Sequence, residues 1–435
     1  MVASVRLYGI PVGVLDVARD GSLSFRYDDN WMKSKQADKV WRHPISLSMP
    51  LTGNVYGHDR AGPFFDGLLP DNRNTRAALA RYFQVDPSDD YALLYNLGRE
   101  CPGAVSIVPP DEPVIPEDAV TPEFDLLDDD RLAEHIRNLP RRPLFVDADG
   151  EELRLSLPGV HHKAAVIVTQ GRVALARGIT PTSHILKVDI DGLEDSIRVE
   201  NFCLKLAGRL GMDVPLSVVR EVHSIPYMLI ARYDRTLVTG DFPHIRRLHQ
   251  EDFCQALGRF PTEKYEKDGG PGWRECFNLM NRTGDPARHR LELLNRAIFQ
   301  FLVNNLDAHA KNYSIVYRRG VIALSKLYDV NNATAFRRHF KEQRPRVAMY
   351  VGGERDADNI DTENWTGFAH DVQIRPEFVH ERIAAMAQEM PRAARDLREE
   401  IKGTPEDSPL LDLVVNDVDQ RCERVLSWND SPKPR

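Results

Sequence analysis

The strongest constraint on this chain is an apolar helix that runs straight into a polar segment. Leu291, Leu294, Ala297, Ile298, Phe301 and Leu302 recur at the spacing of one helix face, which marks a buried helix. It leads into Asn305-Leu306-Asp307-Ala308-His309-Ala310-Lys311-Asn312. Beyond this, Ser314-Ile315-Val316-Tyr317 and Val321-Ile322-Ala323-Leu324 flank Arg318-Arg319-Gly320 as a hairpin, and the chain goes on to Leu327-Tyr328-Asp329. Such a hairpin folds Asp329 back beside Asn312. Alone, Asp307 and Asn312 are equally at home capping turns. With the hairpin and Asp329 they also form a set of oxygen-bearing side chains able to serve a base and a metal ion.

A chain of 435 residues exceeds one ordinary core, so two or three domains are expected. A hydrophobic share of 42% and a charged share of 28% belong to a soluble globular protein. The net charge of −8 argues against the whole chain coating nucleic acid. No stretch reaches the roughly 20 apolar residues of a membrane span, so no membrane partner is expected. The start, Met1-Val2-Ala3-Ser4-Val5-Arg6, lacks the pattern of a secretory signal. Cys101, Cys203, Cys254, Cys276 and Cys422 are scattered and form no CxxC pair. A cytoplasmic location is the simplest expectation.

Four segments are predicted. Residues 1–110 read as a small α+β domain. Val5-Arg6-Leu7, residues 13–17 and residues 23–27 form a β-meander, and Ile45–Met49 alternates like a strand. Helices are predicted over 75–83 and 87–97, the second with Asp86 as N-cap and Pro87 at its first position, and a strand over 103–108. Residues 111–149 read as an acidic, Pro-rich linker, because such composition buries little. Residues 150–234 are strand-rich: 153–157, 165–168 and 173–176 around Gln170-Gly171, 185–188, then the helix 200–210 stopped by Gly211, and strands at 218–219 and 227–230. Residues 235–435 are mainly helical, with helices at 251–257, 376–401 and 410–428. The fold class is therefore α+β: a protein-kinase-like bilobal core, strand-rich N-lobe before helical C-lobe, behind a small N-terminal α+β domain.

Phosphoryl transfer asks little covalent chemistry of a protein. It needs a metal-neutralised triphosphate, a base near the attacking hydroxyl, and cations on the phosphates. Asp307 can accept the hydroxyl proton, and Asn312 and Asp329 can hold Mg²⁺, which prefers oxygen ligands. Lys187 sits mid-strand upstream of a helix bearing Glu200, the order of a kinase Lys–Glu pair; a Lys with its amine in water is the plainer reading. The segment Ser156-Leu157-Pro158-Gly159-Val160-His161-His162-Lys163 lies between strands, where a phosphate-covering loop belongs, although a Pro-Gly turn explains it as well. His309 either orients the loop or is a packed histidine. Lys264 to Gly272 is a turn-rich, charged loop expected to be solvated unless the fold brings it to the nucleotide.

These motifs together resemble the HipA family of serine/threonine-protein kinase toxins. Residues 64–71 and 98–105 look like that family's N-terminal domain. Residues 248–258, the Lys264 to Gly272 loop and Asp307-Ala308-His309-Ala310-Lys311-Asn312 look like its kinase core. The resemblance implies a toxin kinase of a toxin–antitoxin pair that uses ATP and Mg²⁺ to phosphorylate a serine of a protein, such as glutamyl-tRNA synthetase or another aminoacyl-tRNA synthetase. Translation and growth would halt, and persistence would follow. It implies a HipB-like helix-turn-helix antitoxin as partner, with operator DNA bound mainly through that antitoxin. By motif, Asp307 would be the catalytic base, Asn312 and Asp329 the metal ligands, and Lys187 the phosphate contact. The nucleotide site would be completed by Ser156, Gly159, Val160, His161, His162 and Lys163 of the loop, by Arg232 and Tyr233 of a hinge, and by His309 and Lys311. Ser156 would be the self-inactivating autophosphorylation site. The family loop often carries Gln-Glu-Lys where this chain has His161-His162-Lys163, and its hinge often begins with Glu where this chain has Ala231.

Two other functions fit the same residues. A catalytically silent kinase fold could act only as co-repressor with its antitoxin, consistent with the altered loop. A small-molecule phosphotransferase is the third, since one fold hosts many substrates.

Overall fold

Alternating apolar residues and tight turns build the first sheet. In the computed structural model, which describes residues 2–33, 36–37, 40–139, 162–238, 244–339 and 345–428, Ala3, Val5 and Leu7 of the strand Val2–Leu7 are buried. Tyr8 and Gly9, both at positive φ, form the two-residue turn that pairs Leu7 with Ile10 of the strand Ile10–Val17. The antiparallel order is Val55–Tyr56, Leu23–Tyr27, Ile10–Val17, Val2–Leu7, Val105–Val108. The helices His58–Asp66, Arg73–Phe83 and Asp90–Leu97 contribute Phe64, Phe65, Leu79, Leu93 and Leu94 to the same core as Phe25.

Two local expectations change here. Ile45–Met49 is not a strand; the Ile45 N–H donates to the Tyr27 hydroxyl at 2.9 Å and Met49 O accepts from it at 2.7 Å, so a side chain takes the ladder's place. The helix expected from Pro87 begins at Asp90. Asp86 instead accepts from the Ser88 N–H and hydroxyl in a turn, and Asp89 caps the helix by accepting from Ala92 N–H.

The molecule divides into two compact units that do not follow the four predicted segments. One comprises Met1–Val188, Val222–Glu263 and Ser314–Ser325; the other comprises Asp189–Glu221, Lys264–Tyr313 and Lys326–Arg435. Chain order and packing part company because strands recruit partners across long separations.

In the first unit a second antiparallel sheet runs Ile225–Ala231, His184–Lys187, Lys163–Thr169, Arg172–Arg177, Glu123–Leu126. Its last strand comes from the stretch read as a solvated linker, which also holds the helix Asp129–Asn138. Edge pairing with Arg172–Arg177 satisfies its backbone, so its low apolar content matters less than its register. A third sheet orders His249–Asp252, Ser314–Arg318 and Val321–Leu324. The helix predicted over 251–257 therefore opens as strand: it starts at Phe253, capped reciprocally by Asp252 and Gln255.

A buried charge cluster ties the meander domain to the second sheet. Arg232 donates to both Asp234 oxygens at 3.0 and 2.8 Å and to Glu100 Oε1 at 3.3 Å. Arg235 donates to Asp234 Oδ2 at 2.8 Å and to Glu100 Oε1 at 3.0 Å. Gly103 closes the cluster: its N–H donates to Asp234 at 2.7 Å, its φ is +76°, and an added Cβ would sit 2.8 Å from Gln250 N. Burial pushes the Asp234 carboxyl up, but Arg232 and Arg235 outweigh it and hold the group well below the usual range.

The second unit is helical: Ser196–Arg209, Trp273–Met280, Pro286–Leu302, Thr362–Asp371, Pro376–Ile401 and Leu410–Ser427. Asp285 caps Pro286–Leu302, accepting from Arg288 N–H, and Pro286 takes the first-turn position where a missing N–H costs nothing. Among the described residues no helix is long and apolar enough to cross a membrane.

Two predictions follow from buried carboxyls. Asp234→Asn leaves two buried guanidinium groups with one carboxylate, and chemical denaturation should show a loss of about 3–5 kcal/mol; a loss under about 1 kcal/mol would refute mutual stabilisation. Glu251 accepts from Ser46 Oγ at 2.6 Å, Leu47 N at 2.9 Å and the Tyr317 hydroxyl at 2.5 Å, yet burial pushes its carboxyl up to about 7. A carboxyl raised on folding contributes stability below its ordinary value and loses it as pH climbs through the raised one. Stability should therefore fall between pH 5 and pH 8 in the wild type by up to roughly 3 kcal/mol more than in Glu251→Gln. Parallel pH profiles for the two proteins would contradict this.

Candidate active site

The apolar helix delivers its polar sequel through a left-handed turn. Pro286–Leu302 ends at Val303, and Asn304 takes φ +58°. Asn and Asp are the side chains that tolerate this conformation best after Gly. Asn304 Nδ2 donates to Asp417 Oδ2 at 3.1 Å and Thr334 Oγ1 at 3.0 Å, which holds the turn.

Beyond the turn lies Asp307, whose side chain is 62% exposed. Its backbone is fixed on both sides. The Asp307 N–H donates to Asn305 Oδ1 at 3.2 Å, and Asp307 O accepts from His309 N at 2.7 Å and from Asn312 Nδ2 at 2.9 Å. His309, Lys311 and Asn312 are buried, the last two in the single 3-10 turn Ala310–Asn312. The chain does return after the hairpin: the Tyr328 hydroxyl donates to Lys311 O at 2.8 Å. Asp329 follows at φ +58°, and its carbonyl accepts from Asn305 Nδ2 at 3.4 Å. Asn305, itself buried and braced by Gln300 Oε1 at 2.9 Å, thus spans the Asp307 and Asp329 segments.

The Asn312 amide commits its nitrogen to Asp307 O, which leaves its oxygen as the atom it can offer elsewhere. An amide oxygen and the Asp329 carboxylate are hard donors of the kind that suits Mg²⁺, and too few to cage it without substrate phosphates and water. No cluster of three or more His, Cys, Asp or Glu able to hold a metal occurs among the described residues. Asp307 also lines a cleft of about 960 Å³ in the second unit, with Tyr265, Asn304, Asn331, Phe336 and Arg421.

Other sequence-predicted residues lie in the first unit. Lys187 is buried and stands directly opposite Lys163 in the antiparallel ladder. Facing residues share one side of a sheet. His162 O accepts from Val188 N at 3.2 Å, which anchors the end of the expected phosphate loop just past Lys187. Ser156, Gly159, Val160 and His161 lie outside the described residues. Arg232 N–H already donates to Ser183 O at 3.0 Å, and its guanidinium belongs to the buried charge cluster. The Tyr233 hydroxyl donates to Gln250 Oε1 at 2.8 Å. Glu200 is fully buried on Ser196–Arg209 in the second unit.

Residue reasoning missed Asn305, Gln300 and Tyr265. Gln300 left a trace, as an amide within the apolar run Ala-Ile-Phe-Gln-Phe-Leu that ends the helix. Tyr265 donates its hydroxyl to Asp307 Oδ1 at 2.6 Å across 42 positions, and nothing local in sequence announces that.

The chain is similar to known proteins over nearly its whole length. Residues 3–108 match the family model of the HipA N-terminal domain, and residues 155–394 that of the HipA-like C-terminal domain. The putative kinase Y4mE of Sinorhizobium fredii is 32% identical over 420 residues, covering 95% of this chain and 96% of its own. The serine/threonine-protein kinase toxin HipA of Shewanella oneidensis is 25% identical over 423 residues, covering 94% and 92%. A solved structure of Shewanella oneidensis HipA with HipB and operator DNA superposes with a TM-score of 0.82 at 22% identity, covering 99% of this chain and all of that one; at this identity the likeness speaks for the fold.

Replacing Asn305 with Ala strips partners from the Asp307 N–H and the Asp329 carbonyl. A loss of about 1–3 kcal/mol is expected, with faster hydrogen exchange at the Asp307 amide. Unchanged exchange there would show that Asn305 does not hold the loop.

Proposed function

The chain belongs to the HipA family of serine/threonine-protein kinase toxins, and from that premise we propose that it transfers the γ-phosphate of ATP to a serine of a protein acceptor. The observation that carries this reading is the stitching of Asp307, Asn312 and Asp329 into one hydrogen-bonded assembly through Asn305 and the Asn312 amide. An exposed carboxylate on a fixed backbone is what a general base requires.

In this reading the acceptor serine oxygen attacks the γ-phosphorus while Asp307 takes its proton. The bond from the γ-phosphorus to the bridging oxygen breaks, and ADP leaves. Mg²⁺, when held by Asn312 and Asp329, neutralises charge on the phosphates. Lys187 and Lys163, register partners in the ladder, supply further positive charge. His309 and Lys311 shape the loop around the base. Adenine meets the backbone around Tyr233 rather than the Arg232 N–H, which is already used. The loop from Ser156 through Gly159, Val160, His161 and His162 covers the phosphates. A phosphate on Ser156 would add about −1.5 to −2 charges there and repel ATP, so autophosphorylation silences the enzyme.

The acceptor is an aminoacyl-tRNA synthetase, glutamyl-tRNA synthetase first among them, and the result is arrested translation. The partner is a HipB-like antitoxin that carries operator DNA; the Shewanella oneidensis protein is seen with HipB and operator DNA.

Purified protein with ATP, Mg²⁺ and glutamyl-tRNA synthetase should place phosphate on a synthetase serine, read by mass spectrometry. Asp307→Asn should cut the rate by about 10²–10⁴-fold. Equal labelling by both proteins would sink the assignment.

A further inference from the structure

The loop from Lys264 to Gly272 carries a charge run of the kind expected to be solvated, and two of its charged residues are: Lys267 pairs with Asp268 at 2.7 Å, and both are exposed, whereas Lys264 and Glu266 are half-buried. Tyr265 is half-buried too. Its carbonyl accepts from Asp268 N and Gly270 N, both at 3.0 Å, around the 3-10 turn Glu266–Asp268. The loop is moored elsewhere too: Glu266 Oε2 accepts from Tyr350 N at 2.6 Å, and Lys264 O accepts from Ala310 N at 3.3 Å. The last bond joins it to the backbone of the Asp307 loop itself.

The ring is held as firmly as the backbone. It meets the His309 ring edge-on at 5.1 Å, and the Lys264 and Lys267 ammonium groups lie 5.4 and 5.5 Å from its centroid. All these contacts use the aromatic ring. The hydroxyl alone goes to Asp307 Oδ1, at 2.6 Å, a short bond from a neutral donor to a carboxylate.

An exposed Asp side chain on a loop has several rotamers open to it. A base must present one oxygen to the acceptor in one place, and about 1 Å of misplacement can cost up to 10²-fold in rate. Because Tyr265 engages Oδ1, Oδ2 is the oxygen left to receive a proton; it lies 3.9 Å from His309 Nε2. Tyr265 and Asp307 line the same cleft, so the hydroxyl acts where an acceptor segment would enter.

We infer that Tyr265 is a positioning residue for phosphoryl transfer: its hydroxyl fixes the Asp307 carboxylate so that Oδ2 faces the acceptor serine. The role rests on the kinase reading given above. It belongs to the hydroxyl, not the ring.

Tyr265→Phe separates the two, since it keeps the ring contacts and removes the hydroxyl's bond to Asp307. The assay is transfer of labelled γ-phosphate from ATP to the proteins of a desalted bacterial extract, which needs no prior choice of acceptor. Wild type, Tyr265→Phe, Asp307→Asn and the double variant are compared, with thermal melting to confirm equal folding. Tyr265→Phe should lower kcat about 10-fold or more, leave the KM for ATP within about twofold, and cost nothing further in the Asp307→Asn background. Wild-type kcat in Tyr265→Phe would overturn the role, as would a full additional loss in the double variant or a rise in the KM for ATP with kcat preserved. Equal transfer by wild type and Asp307→Asn would instead defeat the kinase reading, and this role with it.

Discussion

The buried cluster of Glu100, Arg232, Asp234 and Arg235 is the interaction on which the first unit depends. Removing four charges from water costs several kcal/mol for each ion, and only close mutual pairing offsets it. That demand is geometric. Glu100 comes from the end of the meander domain and the other three from the turn that follows the strand Ile225–Ala231, so the two sheets must meet in one arrangement for the charges to be satisfied. Gly103 is part of the requirement, because only a residue without Cβ fits both its φ and the approach of Gln250. Arg232 is thereby committed to architecture, by its guanidinium and by its N–H, which donates to Ser183 O.

The second unit meets a comparable demand with amides instead of ions. Asn304, Asn305 and Asn312 each use a side-chain nitrogen to hold a partner distant along the chain or across a turn. Asn332 adds a fourth, donating to Val303 O at 2.9 Å and to Asp417 Oδ2 at 2.8 Å. An amide donates and accepts at once, so one buried side chain can fix two backbone segments without burying a charge. The outcome is a loop whose backbone is hydrogen-bonded on both sides while the Asp307 carboxylate stays open to solvent.

Much of this was legible. The helix Pro286–Leu302, the hairpin around Arg319 and Gly320, the ladder around Gln170 and Gly171, and the three-strand meander all follow from periodicity and turn chemistry within short windows. Expectations failed where a remote partner decided. His249–Asp252 became a strand because Ser314–Arg318 pairs with it, and Glu123–Leu126 became one because Arg172–Arg177 offers an edge. Ile45 lost its strand to the Tyr27 hydroxyl.

The candidate site divides along the same line. By itself the sequence determined the chemistry on offer: an Asp, an Asn and a second Asp at spacings a loop and a hairpin bring together, with a Lys in mid-strand. These depend on neighbours, and neighbours are written in order. Only the tertiary structure decided how that chemistry is held. It set Lys163 against Lys187, ran Asn305 between two segments, and laid Tyr265 on Asp307. Each of these depends on where the chain goes between two distant residues, and that path is fixed by burial and pairing summed over the whole unit.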